Sequence, residues 1–261
     1  MSPEWIEPRS LELTRLPGKA RALAADLRAR ADGRPSAPGS LERELARRLG
    51  GPGALDGPVP AEAATALEEL LDAGGLAPRA RLGGGRMVWS EDILTFPGPG
   101  LRIASRFLAR FFAGPALEDA EAEFEEGAGR PANRPERGAL FVATIGAGFE
   151  DASRKAFACG DLLRGVLLDA LGSVLAEAAA AEAQAEAAAL LGPAPQRGGV
   201  RRFCVGFGDW SLEGQADLFR CLGPEAIGVE LTPSFLMVPE KSVAGLAAWK
   251  VRINPPPFPG R

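Results

Sequence analysis

The sequence contains no histidine and no tyrosine among its 261 residues. Without histidine, the chain cannot form a Ser-His-Asp triad or an HExxH zinc site, and it has no imidazole to act as a general base. Most hydrolase mechanisms therefore lose their usual proton carrier. Cysteine, lysine, aspartate and glutamate are the remaining side chains whose pKa a protein environment can shift toward neutrality.

Cysteine is also scarce, since the chain has only Cys159, Cys204 and Cys221. The three residues show no CxxC spacing, and their odd number is typical of reduced thiols rather than of a disulfide framework. The count excludes a four-thiolate zinc site, and we predict no metal site.

Long apolar runs are missing as well. No run approaches the ~20 residues that a helix needs to cross a bilayer. The first ten residues, MSPEWIEPRS, carry charge and proline where a signal peptide would be apolar. The sequence therefore predicts a cytoplasmic protein without a membrane partner.

The charge balance shows no basic excess, because 30 basic and 34 acidic residues give a net charge of -4. An electrostatic nucleic-acid binder would carry the opposite balance, so we expect no nucleic-acid partner. Basic residues cluster locally at Arg43, Arg47 and Arg48, a pattern that favours a solvated helix face.

Several apolar patterns predict the main structural elements. Residues 140–145 (LFVATI) are apolar throughout and predict a strand that is covered on both faces. A long helix is expected after the N-cap residue Asp161, with Leu163 and Val166 on its buried side. Another helix is expected to begin after the cap Ser211 and to end at Gly223.

Two N-terminal patterns are interpreted in the same way. Residues 11–31 have the composition of a helix and open an N-terminal helical layer. The run Gly83-Gly84-Gly85 predicts a hinge or hairpin turn, because a phosphate-binding loop would end in Gly-Lys-Ser/Thr.

These elements together predict an α+β fold. It consists of a twisted, mostly antiparallel sheet with a C-terminal β-meander, helices packed on the sheet and an N-terminal helical layer. The predicted meander strands are residues 227–231, 235–238 and 242–251. The predicted regions are an N-terminal helical region (1–80), a main domain (81–253) with an exposed insertion (114–138), and a proline-rich tail (254–261).

Four ordered sequence blocks lie between residues 202 and 245. They are Arg202-x-x-x-Gly206-Phe207, Gly208-Asp209-Trp210-x-Leu212-Glu213-x-Gln215, Ile227-Gly228-Val229-x-Leu231-Thr232-x-Ser234-Phe235-x-Met237 and Pro239-x-x-Ser242-Val243-x-Gly245. This stretch resembles the reactivation domain of cobalamin-dependent methionine synthase. A chain of this length has no room for a substrate-methylating barrel, so we expect a free-standing homologue of that domain.

The resemblance extends upstream and covers roughly residues 101–250. Two further blocks carry it, Ala143-Thr144-Ile145-Gly146 and Leu168-Asp169-x-x-Gly172-x-x-x-x-Glu177-Ala178. They resemble the strand and the long helix that precede the Arg-x-x-x-Gly-aromatic strand in those homologues.

The resemblance implies a chemistry that suits a chain without histidine. The resembled domain holds S-adenosylmethionine against the corrin of cobalamin while an electron is delivered, and the sulfonium methyl group is the donor. Such a protein binds and orients its ligand and needs no catalytic acid or base. By position, Arg202 would pair with the ligand carboxylate, while Cys204 and Gly206 would offer main-chain contacts. Phe207 would stack on the ligand, and Glu177 would meet its cationic end.

The chain departs from the family at two places. The family has tyrosine where this chain has Phe207, so stacking survives while a hydroxyl donor worth ~1 kcal/mol is lost. After Gly245 the chain continues with Leu246-Ala247-Ala248, where the domain of the full-length enzyme has aromatic residues.

Both charged site residues also have a purely structural interpretation. Arg202 could form a salt bridge with Glu225 or Glu230 across the meander. Glu177 could be a solvated carboxylate on a helix surface. The residues alone leave these alternatives open.

The resemblance also implies partners. Because the chain has no histidine to ligate cobalt, cobalamin must arrive on a separate corrinoid protein, and an electron-transfer flavoprotein would supply the electron. We expect docking across a face with Phe207, Trp210 and the turn at 239–242. One hypothesis is a reactivation subunit that acts as a methyltransferase component. The other is a non-catalytic corrinoid-protein docking module that has lost S-adenosylmethionine binding.

Overall fold

The computed structural model describes residues 5–34, 38–113, 135–193 and 198–251. The expected tail at 254–261 and most of the expected insertion at 114–138 lie outside these residues. The helices are α1 Leu16–Ala31, α2 Ser40–Arg48, α3 Val59–Asp72, α4 Arg106–Ala113, α5 Gly148–Ala158, α6 Leu162–Leu191 and α7 Gly214–Leu222. The strands are β1 Trp5–Glu12, β2 Arg79–Arg86, β3 Val88–Ser90, β4 Ile93–Phe96, β5 Leu101–Ala104, β6 Arg137–Thr144, β7 Gly198–Cys204, β8 Glu230–Leu231, β9 Met237–Val238 and β10 Ser242–Val251.

The central sheet has five strands in the order β1-β2-β6-β10-β7. Every neighbouring pair is antiparallel. Two smaller antiparallel sheets, β3-β4-β5 and β8-β9, accompany it. This arrangement of helices and antiparallel strands confirms the predicted α+β fold.

The two faces of the central sheet bury separate hydrophobic cores. One face, called here the helical face, is covered by α1, α2, α3, α5 and α6. The side chains of Phe141 and Ala143 of β6 belong to the core on this face. The other face, called the aromatic face, is covered by α4, α7 and the small sheet β3-β4-β5, with Leu140 and Val142 of β6. Alternate residues of β6 thus enter both cores, which explains why this strand is apolar throughout.

The chain enters the sheet earlier than the sequence predicts. Residues 11 and 12, expected to begin a helix, are instead the last two residues of strand β1, where they pair with Ala80 and Arg79. Helix α1 begins only at Leu16, with a proline in its first turn. Helices α1, α2 and α3 share the core of the helical face with α6 and the sheet.

The prediction of a turn at Gly83-Gly84-Gly85 is wrong. These glycines lie within strand β2 and pair with residues 138–140 of β6. A Cβ atom on Gly83 would lie 2.9 Å from the Trp5 ring, and one on Gly84 would lie 3.0 Å from Leu190. Glycine is therefore required here because other side chains pack directly against the strand.

The C-terminal strands divide between two sheets. Within the described part of the chain, β8 and β9 pair only with each other, whereas β10 lies between β6 and β7 in the central sheet. Residue 227, expected in a strand, lies in the 3-10 helix Pro224–Ile227. Helix α7 begins at Gly214 without a side-chain cap, so the prediction that Ser211 caps it is wrong. Its end at Gly223, in the left-handed conformation, is confirmed.

The long helix α6 has its expected N-cap. The Asp161 carboxylate accepts a hydrogen bond from the Arg164 N–H at 3.1 Å. Leu163 and Val166, however, are 46% and 47% exposed rather than buried. The residues of α6 that belong to the hydrophobic core begin at Leu167, so Leu163 and Val166 lie on a part of the helix that extends beyond this core. Within the described ranges, none of the helices has the length and apolar composition needed to cross a membrane.

Candidate ligand-binding site

Strand β7 forms an edge of the central sheet. The Val205 N–H donates to the Ala244 C=O at 3.2 Å, which fixes the alternation along the strand. Odd-numbered residues of β7 hydrogen-bond toward β10, so Arg202 and Cys204 direct their main-chain N–H and C=O groups away from it. The edge therefore presents main-chain N–H and C=O groups, of which the C=O groups of Val200 and Cys204 already accept hydrogen bonds from within the chain.

Arg202 and Glu177 are brought together on the helical face. The Arg202 guanidinium forms an ion pair with the Glu177 carboxylate of α6. The Arg202 side chain is 19% exposed and that of Glu177 is 46% exposed, so the pair lies at the rim of the core. Arg202 therefore bonds to the second predicted site residue, and not to Glu225 or Glu230, its alternative partners.

Gln184, which was not predicted as a site residue, contacts both Arg202 and the main chain of β7. Its Nε2 donates to the Val200 C=O at 2.7 Å, and its Oε1 accepts from Arg202 Nη1 at 3.4 Å. Gln184 lies seven residues after Glu177, which places both on one face of α6. That spacing could have suggested the residue, but the strand that it contacts could not be inferred from spacing.

Cys204 follows Arg202 on the same side of β7. Burial raises the pKa of its thiol, and the charge and hydrogen bond of Arg202 offset only part of this effect. The thiol is therefore protonated at neutral pH and is a poor nucleophile. The Cys204 C=O accepts from the Phe207 N–H at 3.3 Å, so the expected main-chain contact with a ligand would have to use the Cys204 N–H.

Residues 206–210 form a tight turn after β7. Gly206 has a φ of +88°, a conformation that favours glycine. Its N–H donates to the Trp210 C=O at 2.8 Å, and the Phe207 N–H donates to the Cys204 C=O at 3.3 Å. The Gly206 N–H is thus already used within the turn. The Phe207 ring is 66% exposed and is accessible to a ligand or partner.

Asp209 attaches this turn to the start of α4. Its carboxylate accepts hydrogen bonds from the Ser105 hydroxyl, from the Arg106 N–H at 2.8 Å and from the Phe107 N–H at 3.2 Å. Partial burial acts to raise the pKa of Asp209, but these hydrogen bonds outweigh it and lower the pKa. In the sequence, Asp209 was recognised only as part of a block that carries the family resemblance.

Most of the residues expected on the docking face are buried. Trp210 is buried and stacks on Phe203, with ring centroids 6.2 Å apart. Pro239, Lys241 and Ser242 of the predicted turn are buried as well. Phe207 remains exposed, and Phe107 and Leu212 beside the same turn add exposed apolar surface.

Lys241 connects the loop before β10 to α6. Its Nζ donates to Asp169 Oδ1 at 2.6 Å and to Ser173 Oγ at 2.9 Å. The side chain of Lys241 is 10% exposed, whereas that of Asp169 is 58% exposed. Asp169 belongs to one of the sequence blocks that carry the family resemblance, but it was not predicted as a site residue.

Two cavities of about 310 and 330 Å³ lie among the helices, and Arg202 lines neither of them. Glu42 borders both, and its Oε1 pairs with Arg30 at 3.2 Å. Among the residues that the structure describes, no cluster of three or more cysteine, aspartate or glutamate side chains could hold a metal ion.

No protein-family model and no curated protein matches this sequence. Among solved structures, the chain is similar to one described as the MetH reactivation domain bound to AdoHcy, that is, S-adenosylhomocysteine. The TM-score is 0.60 at 16% sequence identity, and the match covers 96% of this chain and 81% of the other. At this identity the likeness shows a shared fold.

Proposed function

We propose that the chain binds S-adenosylmethionine along the edge of β7 and supports reductive remethylation of cobalamin carried by a separate corrinoid protein. The observation that carries the proposal is the ion pair between Arg202 and Glu177 at the edge strand β7. The shared fold with a domain that was solved with S-adenosylhomocysteine supports it.

The ion pair suits the amino-acid end of such a ligand. An α-amino acid carries one carboxylate and one ammonium group, which are the complements of Arg202 and Glu177. When the ligand enters, its carboxylate would take the guanidinium and its ammonium would take the Glu177 carboxylate, so no buried charge is left unpaired. Free main-chain groups of Arg202 and the exposed ring of Phe207 would contact the rest of the ligand.

The methyl group would come from the ligand sulfonium, and the corrinoid and a one-electron donor, such as an electron-transfer flavoprotein, would come from partner proteins. The chain itself binds and orients the donor, which requires no histidine. An exposed aromatic ring such as Phe207 can also attract the positively charged sulfonium.

Calorimetric titration with S-adenosylmethionine tests the binding step. We expect Arg202→Ala to weaken binding by roughly 1.5 to 3 kcal/mol, the contribution of a charge-assisted hydrogen bond. Arg201→Ala is the matched control, because Arg201 is exposed and the alternation of β7 turns its side chain away from Arg202. Equal affinity of the wild type and Arg202→Ala would reject the site.

A remethylation assay tests the reaction. Cob(II)alamin on a corrinoid protein, a one-electron reductant and S-adenosylmethionine are combined with and without this chain. Methylcobalamin formed only in its presence supports the proposal, and its absence with a competent partner contradicts it.

A second candidate function is a corrinoid-protein docking module without ligand binding. Two observations favour it, the occupied Gly206 N–H and the absence of a hydroxyl on Phe207. Binding of a corrinoid protein without binding of S-adenosylmethionine would select this alternative.

A further inference from the structure

A second charged pair lies on the same side of α6 as Glu177. Lys241 holds Asp169 and Ser173 through its Nζ, at 2.6 and 2.9 Å. Asp169, Ser173 and Glu177 follow one another at intervals of four residues, so they form one ridge along the helix. Each interval corresponds to about 6 Å along the axis.

This ridge starts beside the edge strand β7, where Glu177 contacts Arg202. Gln184 contacts Val200 and Glu177 contacts Arg202, so the helix and the strand run in opposite directions. Ser173 and Asp169 therefore lie beyond Arg202, toward the end of the strand. The pairing of Gly245 with Cys204 agrees, because it places the residue 241 end of β10 beside the 206–210 turn.

We infer that Asp169 accepts hydrogen bonds from the ribose hydroxyls of the ligand, and that the site therefore selects a ribonucleoside with an amino acid attached at its 5′ position. The inference rests on the proposed function, because it takes the amino-acid end to lie at Arg202 and Glu177. Asp169 is thus a specificity-determining residue of that site, and Lys241 is its positioning residue.

The dimensions agree with this assignment. Six bonds separate the α-carbon of S-adenosylhomocysteine from its ribose C3′, which spans roughly 8 Å for bonds of about 1.5 Å in a zigzag. Along the helix, Ser173 is about 6 Å and Asp169 about 12 Å from Glu177. The ribose therefore falls between these two side chains when the amino acid is at Glu177.

The chemistry of Asp169 also fits. Carboxylates are the side chains with which dinucleotide-binding folds accept hydrogen bonds from ribose hydroxyls. The contact with Lys241 involves Oδ1, and the largely exposed side chain leaves room for a ligand at the carboxylate. Because the Lys241 side chain is almost buried, its hydrogen bond to Asp169 holds the Asp169 carboxylate in one position.

The test compares S-adenosylhomocysteine with its 2′,3′-dideoxy counterpart by calorimetry. We expect Asp169→Asn to lower the affinity for S-adenosylhomocysteine about tenfold and to leave the affinity for the dideoxy ligand unchanged. The asparagine oxygen can still accept from Lys241, which preserves the fold. Glu186→Gln is the control, because Glu186 is on the opposite side of α6 and pairs with Arg15; its affinity for both ligands should equal that of the wild type.

The remaining outcomes are distinct. Equal weakening of both ligands by Asp169→Asn assigns the residue to the fold and overturns the inference, as does no weakening of either. A wild-type protein that binds S-adenosylhomocysteine without preferring it to the dideoxy ligand overturns the inference alone. A wild-type protein that binds neither overturns the proposed function as well.

Discussion

Neighbouring residues of β7 enter two different environments. On the aromatic face, the Phe203 ring lies within 5.4 to 6.2 Å, centroid to centroid, of three other aromatic rings. On the helical face, Arg202 contacts the carboxylate of Glu177 and the amide of Gln184. The first set of contacts is apolar and the second is polar and partly open to solvent.

The aromatic contacts of Phe203 stabilise the strand, whereas the charged contacts of Arg202 provide groups that a ligand could bind. Burial of aromatic rings lowers the free energy of the folded state strongly and leaves no group available for binding. A partly exposed ion pair adds little stability but keeps two charges in a fixed place. Substitutions on the two faces should therefore affect different measurements.

The largest expected effect on stability is that of Phe203→Ala on the aromatic face. Removing a nearly buried phenylalanine should lower the free energy of unfolding by about 3 to 5 kcal/mol. Chemical denaturation measures this loss, and Arg202→Ala on the other face should cost less than about 1 kcal/mol. A comparable cost for both variants would refute the division between the faces.

A smaller loss is expected from Gly172→Ala on the helical face. The added Cβ would lie 2.9 Å from the Phe149 Cβ and 3.2 Å from the Lys241 Cε, so overpacking should cost about 1 to 3 kcal/mol. Gly18→Ala in α1 is the control, because no atom lies within 4 Å of its added Cβ. That control should gain up to about 1 kcal/mol from helix propensity. Stabilisation by both substitutions would show that the helical face tolerates more volume than its packing indicates.

The Asp209 cap of α4 should contribute about 1 kcal/mol, because replacing an N-cap side chain by alanine has a cost of this size. The pKa of Asp209 is lowered in the folded state, so its contribution is complete above the unfolded value of about 3.9 and disappears as the pH falls through the folded pKa. The difference in unfolding free energy between wild type and Asp209→Ala should therefore be larger at pH 7 than at pH 3. A difference independent of pH would argue that the side chain acts through packing and not as a charged cap.

The smallest expected effect on stability concerns Phe207, in the turn that follows β7. Phe207→Tyr adds the hydroxyl that the resembled family has at this position and should tighten the proposed S-adenosylmethionine binding by about 1 kcal/mol, or roughly fivefold. Stability should not change, because the ring is mostly exposed. Calorimetry and thermal unfolding of the same variant measure both quantities. Unchanged affinity would remove the hydroxyl from consideration as a missing contact.

Much of the fold could be predicted because local patterns and tertiary packing agree. The apolar run of β6 and the Asp161 cap of α6 are examples, since each is visible in a few consecutive residues. Strand β1 and the glycines of β2 were not predicted, because their conformation depends on partners far along the chain. Gly83 is extended because it pairs with Leu140 of β6, and no local pattern records that partner.

The candidate site shows the same limit. The family resemblance predicted Arg202 and Glu177, and the structure places them in contact. Asp169 and Lys241 form a pair across 72 residues, and spacing alone cannot predict such a contact. Asp209 was visible as part of a motif, but the helix that it caps begins more than a hundred residues earlier in the chain.

The alternation of β7 also limits how its sequence can change by insertion or deletion. Loss of a single residue between Gly198 and Arg202 would shift the following residues by one pleat and turn a guanidinium toward the ring cluster, while Phe203 would turn toward the ion-pair side. Such a protein would lose its stability and its candidate site in one step. Losing two residues would keep each side chain on its own face. Viable length changes in this strand should therefore come in even numbers.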